Sequence, residues 1–485
     1  MSLTLSLTLF WIALPLFVGF SIYLLPGLAR LLALAVSLVS LGYGLWRIFE
    51  PSSLSLQLVD SFGVTLLIDQ LSGYFILTNA IVTAAVVLYC WRSQKTAFFY
   101  TQTIILHGSV NAVFVCADLI SLYVALEVIG VTAFLLIAYP RTDRSIWVGL
   151  RYLFVSNTAM LFYLMGTALV YQTHHSFAFT GLRGAPTEAI ALIFLGLLTK
   201  GGIFVSGLWL PLTHSESDTP VSAMLSGVVV KTGVFPLVRF AFMVPEIDPI
   251  VRLFGVATAL FGVGYAVLAQ DTKRILAFST ISQLGFIMAA PAVGGFYALT
   301  HGLVKAALFL TVGNLPSRDI KVLKKNPIPT SLWVVLAIAS FSISGFPLLS
   351  GFGAKILTTK NLVPWQVVGM NVAALGTAIS FAKFIFLPHS RTASDDDSTA
   401  NPKPGFWPAI VLLLGGLVLA NGLYYEAYTL TNIVKPLVTI ALGWLAYFLI
   451  FQKLSIQLPR AAEKFEHLIG GMSLMLTLLF WMVVA

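Results

Sequence analysis

Charge is what this sequence most lacks. Lys, Arg, Asp and Glu make up 10% of its 485 residues, while 58% are hydrophobic. A soluble domain carries about 25% charged residues, so a chain this long cannot cover a water-facing surface. Cysteine is nearly missing too: Cys90 and Cys116 stand alone in apolar context. No CxxC or Cys/His spacing follows from them, which excludes a disulfide framework and a zinc site. There is no Walker loop, G-x-G-x-x-G, haem motif or hydrolase triad. Nothing looks built to bind NADH or ATP, and neither cofactor nor metal is expected. Lys and Arg outnumber Asp and Glu by 28 to 19, but the cations lie between apolar runs or singly inside them. Without a basic patch interleaved with aromatics, nucleic-acid binding is excluded.

What the sequence has instead is long apolar runs. A bilayer core takes about 20 apolar residues as helix. Membrane-barrel strands would alternate in short segments, and these runs are continuous. The expected spans are 4–25, 28–47, 73–91, 101–116, 119–139, 148–172, 187–211, 220–243, 251–270, 275–290, 293–314, 331–358, 366–388, 406–425, 430–452 and 467–485. Some short runs could be re-entrant, so the expectation is an all-α polytopic membrane protein of 14–16 transmembrane helices. The first run has no Lys or Arg before it and exceeds a signal-peptide h-region, so it is expected to remain as a span. Most basic residues outside the runs, among them Arg92, Lys95, Arg141, Arg144, Lys273, Arg274, Lys321, Lys324, Lys403 and Arg460, fall in odd-numbered connections. Lys and Arg concentrate on the cytoplasmic side, which puts the N-terminus outside. The stretch RTASDDDSTANPKP from Arg391 reads as a solvated link.

Lys200, Lys231, Lys305, Lys355 and Lys383 fall inside the expected spans, where Glu127 is the one deep acid. Asp118 lies near a span edge, and His107 and His301 are intramembrane. A charge at mid-bilayer costs roughly 2.5–3.5 kcal/mol even on the lenient insertion scale. Lysines near helix ends can snorkel, and single pairs can hold helices together. One deep acid cannot serve all these lysines, which favours amines that lose and regain a proton. Burial disfavours the ammonium form and a nearby carboxylate restores it, so a lysine whose acid partner moves is a proton switch.

LLTKGGIF places two glycines directly after Lys200, and SGFPLLSGFGAK interrupts the run that carries Lys355. Such breaks occur where backbone lines a cavity, and paired breaks in corresponding positions point to inverted repeats. Lys231 follows Lys200 by one span, as Lys383 follows Lys355. His301 and Lys305 share a helical face, which suits a relay between the halves. THSESDTPVSAML reads as a solvated loop with Asp218 or Thr219 capping a helix that starts at Pro220. His214, Glu216 and Asp218 could in addition form a cation-attracting mouth.

ADLISLYVALEVIG, LLTKGGIF, WLPLTHSESDTPVSAMLSGVVVKTGVFPLVR, DTKRILAFSTISQLGF, LTHGLVKAALF and SGFPLLSGFGAK together resemble the antiporter-like membrane subunits shared by Mrp-type cation/proton antiporters and respiratory complex I. The resemblance runs from about residue 100 to 390. It implies two inverted five-helix repeats, each with a broken helix, at 101–245 and 246–390. Transmembrane helices at 1–100 precede them, and a polar loop at 391–405 and helices at 406–485 follow. It further implies Glu127 and Lys200 as the acid–lysine switch, Lys231 as central carrier, His301 and Lys305 as the connecting axis, and Lys355 as the exit group. Lys383 is added from the repeat spacing.

Lys355 matches the D-type member of the Mrp antiporters, where the nearest complex I subunit usually carries glutamate. The first expectation is therefore a proton-translocating, D-like subunit of a multisubunit monovalent-cation/proton antiporter. It would work with other membrane subunits, protons and Na+ in a bacterial plasma membrane. The alternative is a chain 4-like pumping subunit of an NADH or ferredoxin:quinone oxidoreductase, with the thylakoid membrane as a second location. A scaffold whose lysines bind anionic lipid is the third reading.

Overall fold

The computed structural model describes residues 3–58, 63–391, 402–453 and 464–484. Most of the polar link at 391–405, and Arg460, lie outside the described residues. Every expected span is helical. In order come α1 (Leu3–Leu24), α2 (Ala29–Phe49), α3 (Gln70–Tyr89), α4 (Ala97–Val113), α5 (Leu119–Ile137), α6 (Asp143–His174), α7 (Thr187–Gly201), α8 (Trp209–Glu216), α9 (Thr219–Met224) and α10 (Lys231–Met243). Then follow α11 (Asp248–Leu268), α12 (Thr272–Ala289), α13 (Gly294–Val312), the short α14 (Ile320–Leu323), α15 (Thr330–Ser344), α16 (Ser350–Lys360), α17 (Gln366–Ile385), α18 (Phe406–Asn421), α19 (Leu430–Ala446) and α20 (Phe465–Val484). Among the described residues, 13 helical segments are long and apolar enough to cross a membrane. The other three expected spans are α4, α12 and the α15–α16 pair, which are shorter or more polar.

Helix ends differ from the expected run ends because caps, not hydropathy, set them. α3 begins at Gln70 because the Asp69 side chain accepts from the Ser72 amide, and α6 begins at Asp143 behind a Thr142–Ser145 capping box. An antiparallel hairpin that hydropathy does not anticipate, β1 (Leu54–Gln57) and β2 (Thr65–Ile68), lies between α2 and α3.

The two anticipated breaks are one motif used twice. At the end of α7, Gly202 is left-handed (φ +69°); its amide donates to Thr199 O at 3.1 Å and the Ile203 amide to Leu198 O at 2.9 Å. At the end of α15, Gly345 is left-handed (φ +86°); its amide donates to Ser342 O at 3.0 Å and the Phe346 amide to Phe341 O at 3.0 Å. Both are Schellman ends, which stop a helix and satisfy its last carbonyls. Helix resumes as α8 and α16. Counting each broken pair as one span, α4 to α10 make five spans and α11 to α17, leaving aside the connecting α14, make five more; the fourth is broken in each. Because five is odd, the second set enters the bilayer from the opposite side to the first.

A third interruption lies between α9 and α10, where Leu225–Val229 forms a π turn just before Lys231. Single π turns leave local backbone groups without helical partners and occur often at functional sites. The α9–α10 segment is buried throughout and α13 almost so, while α1, α19 and α20 are largely outward-facing.

At one end of the bundle, Arg239 of α10 makes a two-pronged ion pair with Asp69 and also donates to Ser72 Oγ at 3.0 Å. Burial works against the Asp69 carboxylate, but the Arg239 guanidinium outweighs it and holds the carboxyl below its ordinary value. Its contribution to stability is therefore full at neutral pH and is lost as pH falls through the depressed folded value. Asp69→Asn should lower stability by roughly 3–5 kcal/mol, since it strands a buried guanidinium. Thermal unfolding in detergent should show the loss at pH 7 and a smaller difference from the parent near pH 3.

Candidate functional site

The five lysines singled out from sequence are all interior. Lys200, Lys231, Lys305, Lys355 and Lys383 are 4%, 0%, 0%, 8% and 3% exposed. None can snorkel, and none offers lipid a free amine.

Lys200 sits in the last turn of α7, and its Nζ donates to Ser156 Oγ of α6 at 2.6 Å. Gly130 of α5 makes the room: a Cβ there would lie 3.2 Å from that nitrogen. Glu127 lies one turn earlier on α5 and is half-buried. Its charge is felt by Lys200, but no ion pair closes within 4.0 Å, and its Oε1 has no hydrogen-bond partner. The acid and the amine stand close and apart.

Lys231 opens α10, and its Nζ donates back into the π turn, to Gly227 O at 2.5 Å and Ser226 O at 3.5 Å. Across from it, Gly302 of α13 leaves space; a Cβ there would meet Nζ at 3.5 Å. From this turn a polar chain runs on. Ser226 Oγ bonds Thr280 Oγ1 of α12 at 2.7 Å, and Thr280 Oγ1 donates to Leu276 O at 2.9 Å. Leu276 O also accepts from Lys305 Nζ at 2.9 Å, and that nitrogen donates to Ser279 Oγ as well. The Ser226 and Thr280 hydroxyls and the Leu276 carbonyl thus lead from the π turn that holds Lys231 to Lys305, although Lys231 itself bonds only the turn's carbonyls. His301 feels the charge of both lysines, and neither of its ring nitrogens has a hydrogen-bond partner. A buried polar atom without a partner costs about 1–3 kcal/mol, which sets His301 apart from a hydrogen-bonded packing histidine.

Two groups extend this picture beyond the sequence reading. His214, at the end of α8, is fully buried, and it feels Lys305 and Lys273. Lys273, expected in a connection, is buried and donates to Ser217 O at 2.8 Å. The 214–218 stretch is accordingly not the solvated loop expected, though Asp218 does cap α9. Lys95 pairs with Asp218 at 2.5 Å, and Arg144 and Arg318 pair with Glu216 at 3.3 and 3.9 Å. Burial opposes the Asp218 carboxylate, and the Lys95 ammonium more than offsets this, holding its carboxyl below the ordinary value. The acids expected as a cation mouth are thus engaged with cations of the protein.

Lys355 lies in α16, after the second break. Its Nζ donates to Ser344 O at 3.3 Å and stands 5.5 Å from the centroid of the Phe286 ring. Lys383 is elsewhere: its Nζ donates to Val267 O and Ala269 O, both at 2.6 Å, and to Ala266 O at 3.3 Å. These are terminal carbonyls of α11, and a cation suits that end of a helix. Asp118 is also a cap, accepting from the Ser121 and Thr65 amides at 2.7 and 2.8 Å.

His107 has the context of His301 and the opposite arrangement. Asn111 Nδ2, which can only donate, points at Nε2 from 3.1 Å. Ser40 Oγ receives Trp11 Nε1 and bonds the same Nε2 at 2.9 Å, while Nδ1 faces Thr83 Oγ1 at 3.1 Å. Nε2 is therefore an acceptor and Nδ1 the donor. Protonating the ring would break both bonds at Nε2, so His107 is a neutral structural residue.

Among the described residues no group of three or more His, Cys, Asp or Glu side chains could hold a metal ion.

Comparison with known proteins places this geometry. The pattern of the NADH:quinone oxidoreductase/Mrp antiporter transmembrane family matches residues 116–380. The NADH-quinone oxidoreductase subunit N of Desulforudis audaxviator is 28% identical over 439 residues, covering 79% of this chain and 85% of that one. The D-type subunit of the Na(+)/H(+) antiporter of Alkalihalophilus pseudofirmus is 28% identical over 330 residues, covering 61% and 66%. A chain of the membrane-bound sulfane sulfur reductase, an archaeal respiratory membrane complex, superposes with a TM-score of 0.75 at 21% identity, covering 91% of this chain and 99% of that one.

Proposed function

Because the chain belongs to the NADH:quinone oxidoreductase/Mrp antiporter transmembrane family, we propose that it is the proton-translocating, D-like subunit of a multisubunit monovalent-cation/proton antiporter. The observation that carries this reading is the pair of fully buried amines, Lys231 on the carbonyls of its π turn and Lys305 on Leu276 O and Ser279 Oγ, with the Ser226 and Thr280 hydroxyls between them. Fully buried amines with no carboxylate paired to them among the described residues suit the release and recovery of a proton better than a static ion pair holding helices together.

In this reading protons enter at Glu127 and Lys200. Approach of the carboxylate favours the charged amine; its withdrawal favours transfer onward to Lys231. The charge then moves to His301 and Lys305 and leaves by Lys355. His214 and Lys273 offer the central group a branch toward the Glu216–Asp218 face. Lys383 caps α11 and stays outside the line. The repeats are 101–245 and 246–390, flanked by helices at 1–100 and 406–485, with the N-terminus outside a bacterial plasma membrane. The half-buried Glu127 face is where a partner membrane subunit would act on the switch.

The chain does no redox chemistry in either reading. Its likeness to an NADH-quinone oxidoreductase subunit N over 79% of its length supports the second one, a pumping membrane subunit of a quinone-reducing complex. Purification through a tag on this chain, followed by reconstitution, separates the two. Proton flux driven by a Na+ or K+ gradient, with small membrane subunits copurifying, is the expected result. Iron–sulfur partners and flux abolished by redox inhibitors would transfer the chain to the second reading.

A further inference from the structure

Between His301 and Lys355 the interior changes character. Tyr297 lies one turn before His301 on the same face of α13. Its ring stacks on Phe286 of α12, with centroids 5.5 Å apart and planes 13° from parallel. Lys355 Nζ stands 5.5 Å from the centroid of that same Phe286 ring. The Tyr297 hydroxyl donates to Gln283 Oε1 at 2.5 Å, and Gln283 Nε2 donates to Thr377 Oγ1 of α17 at 3.2 Å. Gln283 is one turn before Phe286 on α12, so one helix supplies both the ring and the anchor that holds the phenol against it. All five side chains, Tyr297, Phe286, Lys355, Gln283 and Thr377, are buried. Hydroxyls and carbonyls lie about the central lysines, whereas the contact facing Lys355 is ring carbon, which neither accepts nor donates a proton.

Resting on the proton line proposed above, we propose that Phe286 is the gate between the His301–Lys305 group and Lys355, and that the charge on Lys355 holds it shut. An ammonium over an aromatic face is attracted by the ring's quadrupole. While Lys355 is protonated, the ring is drawn to it and held stacked on Tyr297, and the apolar constriction stays dry. When Lys355 releases its proton toward the exit, it becomes a neutral amine and that attraction ends. The ring can then turn, water can bridge, and one proton from the central group restores the ammonium, which draws the ring back. One proton enters Lys355 for each that leaves, and no open path joins the two sides.

The test uses the purified complex in sealed vesicles with a pH-sensitive dye, an imposed pH gradient and no driving cation. Phe286→Ala should raise passive proton leak severalfold, and Phe286→Leu, which keeps apolar bulk without the aromatic face, by less. In the Phe286→Ala/Lys231→Met double variant the leak should return to the parent level, because it runs through the line. Phe286→Ala vesicles as tight as the parent, or a leak that survives loss of Lys231, would overturn the gate. Should Phe286→Ala fail to assemble, Phe286→Leu and Tyr297→Phe decide by the same readout. Failure of the underlying reading looks different: Lys231→Met alone would then carry normal coupled flux.

Discussion

Lys231→Ala should give a complex that assembles and carries no cation-driven proton flux, a drop on the order of 10²-fold or more. The expectation follows from where the amine sits. It is fully buried and bonded to the carbonyls of its own π turn, beside the Ser226 and Thr280 hydroxyls that lead toward Lys305. Among the described residues no carboxylate pairs with it, so its loss strands no buried anion and assembly should survive. Lys231→Met controls for packing: it keeps the volume and removes the titrating group, and it should be as inactive as the alanine variant. Flux in reconstituted vesicles, with subunit composition checked by native electrophoresis, is the measurement. Normal flux in either variant would remove Lys231 from the line.

The second large effect requires no change of charge at all. Gly130→Leu should abolish flux nearly as completely. The Lys200 ammonium occupies the space a side chain at Gly130 would need, with Ser156 Oγ and Asn157 Oδ1 at 3.4 and 3.7 Å from the same point. A leucine there must displace the amine from Ser156 and from the approach of Glu127. Gly130→Ala should cost less, since the flexible end of Lys200 can shift by a few tenths of an ångström. Val131→Leu, next along α5 but outward-facing, should be neutral. Parent-like flux in Gly130→Leu would mean that the position of Lys200 beside α5 is irrelevant to turnover.

Much of the fold was legible because a bilayer imposes length and apolarity directly on sequence. Every expected run became helix, and GlyGly after Lys200 and Gly345 before Phe346 marked both breaks. Helix ends were less legible, since Asp69 and Thr142 act through hydrogen bonds that hydropathy does not register. The candidate lysines were found because an amine in an apolar run is costly and must be accounted for. What lies about them was not visible: Ser226, Ser279 and Thr280 are ordinary residues of membrane helices, and the Leu276 carbonyl belongs to the backbone. His214 was read as part of a solvated loop or a cation mouth because it stands in a polar stretch, which folds inward.

The sequence by itself determined that this chain spans the membrane many times, that its helices break at two glycines, and that certain amines must avoid lipid. Each follows from composition and spacing, because solvation by lipid acts on every residue alike, whatever its neighbours. What surrounds each amine was decided only by tertiary structure. Lys383 ends a helix while Lys305 feels the charge of Lys231, and His107 is satisfied while His301 is not. The partners of a buried group come from helices far apart in the chain, which composition and spacing do not record.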